Sequence, residues 1–334
     1  MLGIENWQDK TRRLKMGVIG DFCLDRNNLY NNTGLKSLEY ETVNIERNLN
    51  PDTEWAPGGA GNVAINFKKL EVDVVPFGIR GMDDVGTLYL MHLFEKQGIQ
   101  TFGLIPDMAR KTPRYEKFYF KDKEDKPQTK RLDTYNEREP SLGVQKLLFE
   151  VLQRELGYLS GVYIADQLPT QYHPCITSEV KRGLEEILGK AGIPVMVDSR
   201  ERIGEWGNGK FILKPNEKET KAFSFFDVNK FVSEHKLPFM YVTAHEKGTY
   251  LFQENAELNK EPIRIPTLPV KNGDPTGCGD AWGAAALVAL KVGESPSEAA
   301  KFGNAAAYHT IQQIGKCGMP NLEELFKNYR AIYG

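Results

Sequence analysis

The chain has 334 residues, a net charge of −2, 40% hydrophobic and 26% charged residues, the make-up of a soluble globular protein large enough to bury a core without disulfide or metal staples. So small a net charge excludes a broad electrostatic grip on nucleic acid. The most apolar stretch, Ala281–Leu290, is about half of what a membrane-spanning helix needs.

From the N-terminus, no apolar run before Lys15 is long enough for a signal peptide, so a cytoplasmic protein is expected. Met16–Ile19 reads as the first strand, and Gly20-Asp21-Phe22-Cys23-Leu24-Asp25 follows it. Asp21 and Asp25 at a strand's C-terminal end suit a polyhydroxyl ligand, since each carboxylate accepts several hydrogen bonds; surface turn residues are the plainer reading. Asn27–Trp55 then alternates polar and apolar residues, the period of strands with one solvated face. Pro57-Gly58-Gly59-Ala60-Gly61-Asn62 is a glycine turn opening a helix, where backbone can approach a ligand and Asn62 can both donate and accept. A dinucleotide fold would place such glycines after the first strand instead.

Further along, Val72–Phe77, Gly161–Ile164, Pro194–Val197, Phe211–Leu213 and Phe239–Val242 are short, often β-branched runs. Between them lie helical patterns at Val63–Leu70, Val85–Gln97, Val144–Leu159, Ile176–Ala191 and Glu217–His235. This alternation predicts an α/β fold with a mostly parallel sheet covered on both faces. Thr101–Tyr135 breaks it with a second alternating segment. The two breaks, about 27–55 and 101–135, predict a small β lid inserted into one 1–334 domain.

Gly273-Asp274-Pro275-Thr276-Gly277-Cys278-Gly279-Asp280 runs straight into an Ala-rich helix. Amides of Gly277, Cys278, Gly279 and Asp280 would converge at its N-terminus, where orphan donors and the dipole attract phosphate. Asp280 at that mouth could take a proton from a hydroxyl attacking a γ-phosphoryl group, or merely cap the helix. The Walker lysine is missing, so this is no ordinary P-loop. The four cysteines and five histidines share no metal or triad spacing. Reduced thiols are expected, with Cys278 neutral beside bound phosphate.

In this order the motifs resemble the PfkB/ribokinase family of sugar kinases over nearly the whole chain. Gly58–Asn62 and Asp274–Asp280 are similar to its two signatures, and Asn216-Glu217-Lys218-Glu219 to its Asn-x-x-Glu element. Thr243 through Gly248 resembles its nucleotide strand and turn, and Asn304 its residue beside the adenine. The resemblance implies a three-layer α/β/α sandwich with a β lid, ATP as phosphoryl donor, and Mg²⁺ held through water by Asn216 and Glu219. It also implies Asp280 as general base, a sugar held by Asp21, Asp25, Gly58, Gly59 and Asn62, a dimer through the lid, and often K⁺ near Asp274.

Within the family the chain resembles the heptose 7-phosphate kinases, through Gly20, Asp21, Asp25 and Arg26, Lys36-Ser37-Leu38-Glu39, and Arg131-Leu132-Asp133. Asp166 matches a segment of theirs that carries a lysine three residues on, where this chain has Pro169. Lys36, Arg114 and Arg131 are then candidates for a sugar phosphate. Kinases of ribose- or fructose-like sugars, and a sensor that binds without turnover, are the alternatives; a nicotinamide oxidoreductase is disfavoured by the missing early Gly-x-Gly.

Overall fold

The computed structural model describes residues 3–30, 38–40, 43–45, 52–82, 84–120, 128–207, 209–220, 225–254, 260–313 and 318–334. Its strands are β1 (Lys15–Gly20), β2 (Phe22–Tyr30), β3 (Leu38–Tyr40), β4 (Val43–Ile45), β5 (Asp52–Gly59), β6 (Asp73–Gly81), β7 (Leu104–Asp107), β8 (Arg114–Phe120), β9 (Gln128–Thr134), β10 (Gly161–Asp166), β11 (Val195–Ser199), β12 (Phe211–Leu213), β13 (Phe239–Thr243), β14 (Thr249–Gln253) and β15 (Ile263–Ile265). Its α-helices are α1 (Ile4–Thr11), α2 (Ala60–Lys69), α3 (Val85–Lys96), α4 (Leu142–Leu156), α5 (Ser178–Leu188), α6 (Phe225–Glu234), α7 (Cys278–Val292), α8 (Pro296–Thr310) and α9 (Leu322–Tyr333).

The short apolar runs form one nine-stranded sheet in the order β15-β14-β13-β12-β11-β10-β1-β6-β7. It is parallel from β13 to β7, with β14 and β15 added antiparallel at one edge. Every residue of β10 and β11 is buried, as a strand covered on both faces requires. Two apolar clusters fill the two faces. Trp7, Phe67, Phe302 and Phe326 belong to one, and Leu148, Ile176, Leu184 and Trp206 to the other.

α7 is buried on nearly all sides, which explains a sequence of alanine and leucine without an amphipathic stripe. Its neighbour α8 comes so close that a Cβ on Gly303 would lie 2.5 Å from the Trp282 ring. Trp282 and Trp206 are packing residues, at 2% and 0% exposure.

The alternating segments supply a second sheet, β5-β2-β8-β9. β2 leaves the main sheet one residue after β1, so this sheet is anchored where the two meet. Its register puts Tyr115, Lys117 and Arg131 on one face and Trp55, Arg26, Glu116 and Leu132 on the other. Two boundaries differ from the sequence reading. Leu104–Asp107, expected in the small sheet, pairs with β6 at the edge of the main one. The helix expected from Glu217 starts at Phe225, because Glu217–Thr220 is a turn closed by the Asn216 side chain. Among the described residues no helix is long and apolar enough to cross a membrane.

Candidate active site

From β1 the chain runs to β6 and β7 on one side and returns through β10 to β15 on the other. A crevice opens at such a switch point, beyond the C-terminal ends of the parallel strands. Here it is a cavity of about 840 Å³ between the two sheets and the start of α7, a volume suited to small-molecule ligands.

Gly277 turns into α7 in the left-handed conformation, φ 78°, which glycine adopts without strain. It is the N-cap and offers no side chain to the first turn. The amide of Cys278 donates to Pro275 O at 3.2 Å, so the predicted four-amide cradle reduces to Gly277, Gly279 and Asp280. Asp280 lies in the first turn of α7, and its carboxylate accepts from Gln167 Nε2 at 2.9 Å and Asn62 Nδ2 at 3.2 Å. It caps nothing, so the capping reading falls. Burial first, then the charge of Asp198, lifts its pKa from 3.8 to about 6. A carboxylate with this pKa is ionised at neutral pH and basic enough to take a proton. Burial likewise pushes the Cys278 thiol up to about 12, leaving it neutral, as expected.

Toward the small sheet, Asp21 accepts from the Cys175 amide at 2.7 Å through Oδ1, while its buried Oδ2 and the buried Oδ1 of Asn62 have no partner among the described residues. Orphaned acceptors in a cavity wall are what sugar hydroxyls satisfy. Burial raises Asp21 to about 7. Gly59 has φ 56°, and a Cβ there would lie 2.5 Å from the backbone carbonyl oxygen of Asp21, so glycine is required for the chain to pass against the Asp21 backbone. Asp25 pairs with Lys117 at 3.2 Å. Arg131 reaches the cavity, held by Asp133 at 2.6 Å and stacked over Tyr115.

On the opposite side, Asn216 and Glu219 bind each other. The Asn216 amide and Nδ2 donate to the carboxylate at 2.8 and 2.7 Å. Burial, then Asp198, raises Glu219 to about 7. The negative charge of Asp198 bears on this carboxylate, and a divalent cation would offset it. Among the described residues no three His, Cys, Asp or Glu side chains cluster for a metal. Mg²⁺ takes one or two carboxylates and keeps waters and substrate phosphates, and Glu219 on the cavity wall is a donor of that kind. Thr243 and Gly248 line the same end of the cavity.

Four expectations need correction. Asp166 is 2% exposed and bound to Arg202, Ser199 and Trp206. It is a structural ion pair away from the cavity lining. Gly58 lies under Asp25, outside the lining. Asn304 borders the cavity, but its side chain is spent on Thr249, Trp282, Ile265, Pro266 and Tyr333. It therefore forms part of the cavity wall, with its side-chain donors and acceptor engaged by the protein. Arg114 pairs with Glu116 outside the lining. Lys36 lies outside the described residues.

Gln167, Asp198, Arg200 and Lys214 line the cavity and went unread in the sequence. Each follows or ends an apolar run, at the carboxyl end of β10, β11 or β12. That position was the available signal.

A model of the pfkB family carbohydrate kinases matches residues 32–322. Among curated relatives, the bifunctional protein HldE of a Nitratiruptor species is 28% identical over 84% of this chain and 58% of its own length. That of Trichlorobacter lovleyi is 28% identical over 93% and 62%. The chain thus spans about three fifths of the length of these relatives. Among solved structures, Arabidopsis thaliana ribokinase complexed with ribose and ATP superposes with a TM-score of 0.69, at 21% identity over 95% of this chain and 99% of that one. Escherichia coli phosphofructokinase-2 in complex with fructose-6-phosphate gives 0.69, at 17% identity over 96% and 100%. The fold is the ribokinase-like α/β/α sandwich that the sequence predicted.

Proposed function

Because the chain belongs to the pfkB family of carbohydrate kinases, we propose that it transfers the γ-phosphoryl group of ATP to a hydroxyl of a phosphorylated sugar, heptose 7-phosphate being the first choice. Asp280 is the general base. The observation that carries this reading is its buried carboxylate, oriented by Gln167 and Asn62 beside the amides of Gly279 and its own residue. The sugar lies against Asp21, Asp25, Gly59 and Asn62, so that one hydroxyl faces Asp280. As its oxygen bonds to the γ-phosphorus, its proton passes to Asp280 and ADP leaves with the electron pair. Free amides of the turn take the negative charge that builds on the phosphoryl oxygens.

Thr243 and Gly248 flank the nucleotide. Asn216 and Glu219 would hold Mg²⁺, which when bound would neutralise phosphate charge. The small sheet serves as the lid that keeps water out. Activation by K⁺ near Asp274 completes the assignment. A sugar that already carries phosphate is favoured by Lys117, Arg131 and Arg200 in the wall. The HldE relatives, heptose kinase/adenylyltransferases, point to heptose.

ADP release from MgATP is measured across a panel of sugars and sugar phosphates. Asp280→Asn should lower turnover on the accepted substrate by roughly 10² to 10⁴-fold. Turnover on another sugar would discard heptose and keep Asp280; ATP binding without turnover on any sugar would favour a sensor.

A further inference from the structure

We propose that Lys214 is a second catalytic residue, whose ammonium contacts the phosphoryl group during its transfer. The inference deepens the reading above, in which the terminal phosphate of ATP lies over the Gly277–Asp280 turn. Lys214 directly follows β12 and is 2% exposed. Its Nζ has one partner among the described residues, Asp198 Oδ2 at 2.9 Å. An ammonium has three donors, and a buried charge with donors unspent is costly. The unspent donors are at the turn: a Cβ built on Gly279 would lie 3.6 Å from Nζ, and Lys214 lines the cavity there. An anion on the free amides of that turn therefore lies within reach of the ammonium.

Asp198 is itself shared, accepting from Tyr163 at 3.0 Å and Gln167 at 3.4 Å. Gln167 in turn donates to Asp280. The cation and the base are thus fixed to one scaffold across the ends of β12, β11 and β10. In the reaction the sugar oxygen bonds to the γ-phosphorus while the bond to the β,γ-bridging oxygen breaks. The proton goes to Asp280 and the electron pair to ADP. Lys214 stays protonated throughout and donates to a phosphoryl oxygen.

A lysine that only neutralises Asp198 would have the same burial and the same partner. The two roles separate in Lys214→Met, Lys214→Arg and the charge-balanced double variant Lys214→Met/Asp198→Asn. Two quantities are read in each: kcat for ADP release, and the ratio of dissociation constants for ADP and β,γ-imido-ATP by calorimetry with Mg²⁺. Expected are a loss of kcat of about 10² to 10³-fold in Lys214→Met, the same loss in the double variant, and partial recovery with arginine. Preference for the triphosphate analogue over ADP disappears in both methionine variants, while ADP affinity holds. A double variant that regains wild-type kcat, or an unchanged preference for the analogue, overturns the proposal. If the wild type turns over no sugar, the sugar reading fails on its own, and the nucleotide preference still decides the role of Lys214.

Discussion

At the scale of single residues, Asp280 meets two opposed demands. Burial makes its charge unfavourable, and the resulting pKa of about 6 is what would make it a competent base in the proposed reaction. The acid limb of kcat/KM should therefore fall near pH 6, about tenfold per unit below it; a plateau extending to pH 4.5 would remove Asp280 from the role. The same shift bears on stability. The folded state holds this proton more tightly than the unfolded chain, so stability is lost as pH rises from about 4 through 6 and stays lost above. Two units correspond to about 3 kcal/mol. Asparagine gives up one acceptor facing Gln167 or Asn62, about 1 kcal/mol. Asp280→Asn should thus be more stable than the wild type by about 1 to 2 kcal/mol at pH 8 in urea unfolding, with the advantage gone at pH 4. Residues in glycine-rich company, such as Asp280 and Asn62, could be read in advance. Asp166 could not, because its partner Arg202 is brought to it only by the pairing of β10 with β11. Lys214 was hidden for the complementary reason: its meaning depends on α7, some sixty residues later.

Among elements, the six apolar runs all became strands of the main sheet, since burial on both faces leaves a contiguous signature. Edge strands carry a weaker one, which is why β7 was assigned to the small sheet and β15 was not foreseen. The Asn216–Glu219 turn was misread as helix because its residues favour helix; side-chain hydrogen bonds to the backbone override that preference locally. The α7–α8 pair depends on the absence of a side chain at residue 303. Gly303→Ala forces the Trp282 indole, which also bonds Thr249 and Asn304, to shift. A loss of about 1 to 3 kcal/mol is expected, together with weaker nucleotide binding; a wild-type melting curve would show that the helices part without cost.

For the molecule as a whole, the outer face of the small sheet presents Leu132 at 49% exposure on its edge strand. We propose that a second copy covers this face. Sedimentation should give a dimer, and Leu132→Glu a monomer; a wild-type monomer at micromolar concentration would exclude it. The inner face, with Tyr115, Lys117 and Arg131, faces the cavity, so pairing through the outer face would steady that wall of the cavity.

Trp7 has a consequence for synthesis. Its ring, fully buried, packs on Phe302 at 4.3 Å and Phe326 at 5.3 Å. A ribosome adding about 5 to 20 residues per second needs roughly 15 to 60 s between the first of these residues and the last. Through that interval the indole lacks these two aromatic partners, and α7, which carries Asp280, lacks its finished layer. The layer that holds the Gly277–Asp280 turn is therefore completed late, when Trp7 meets α8 and α9.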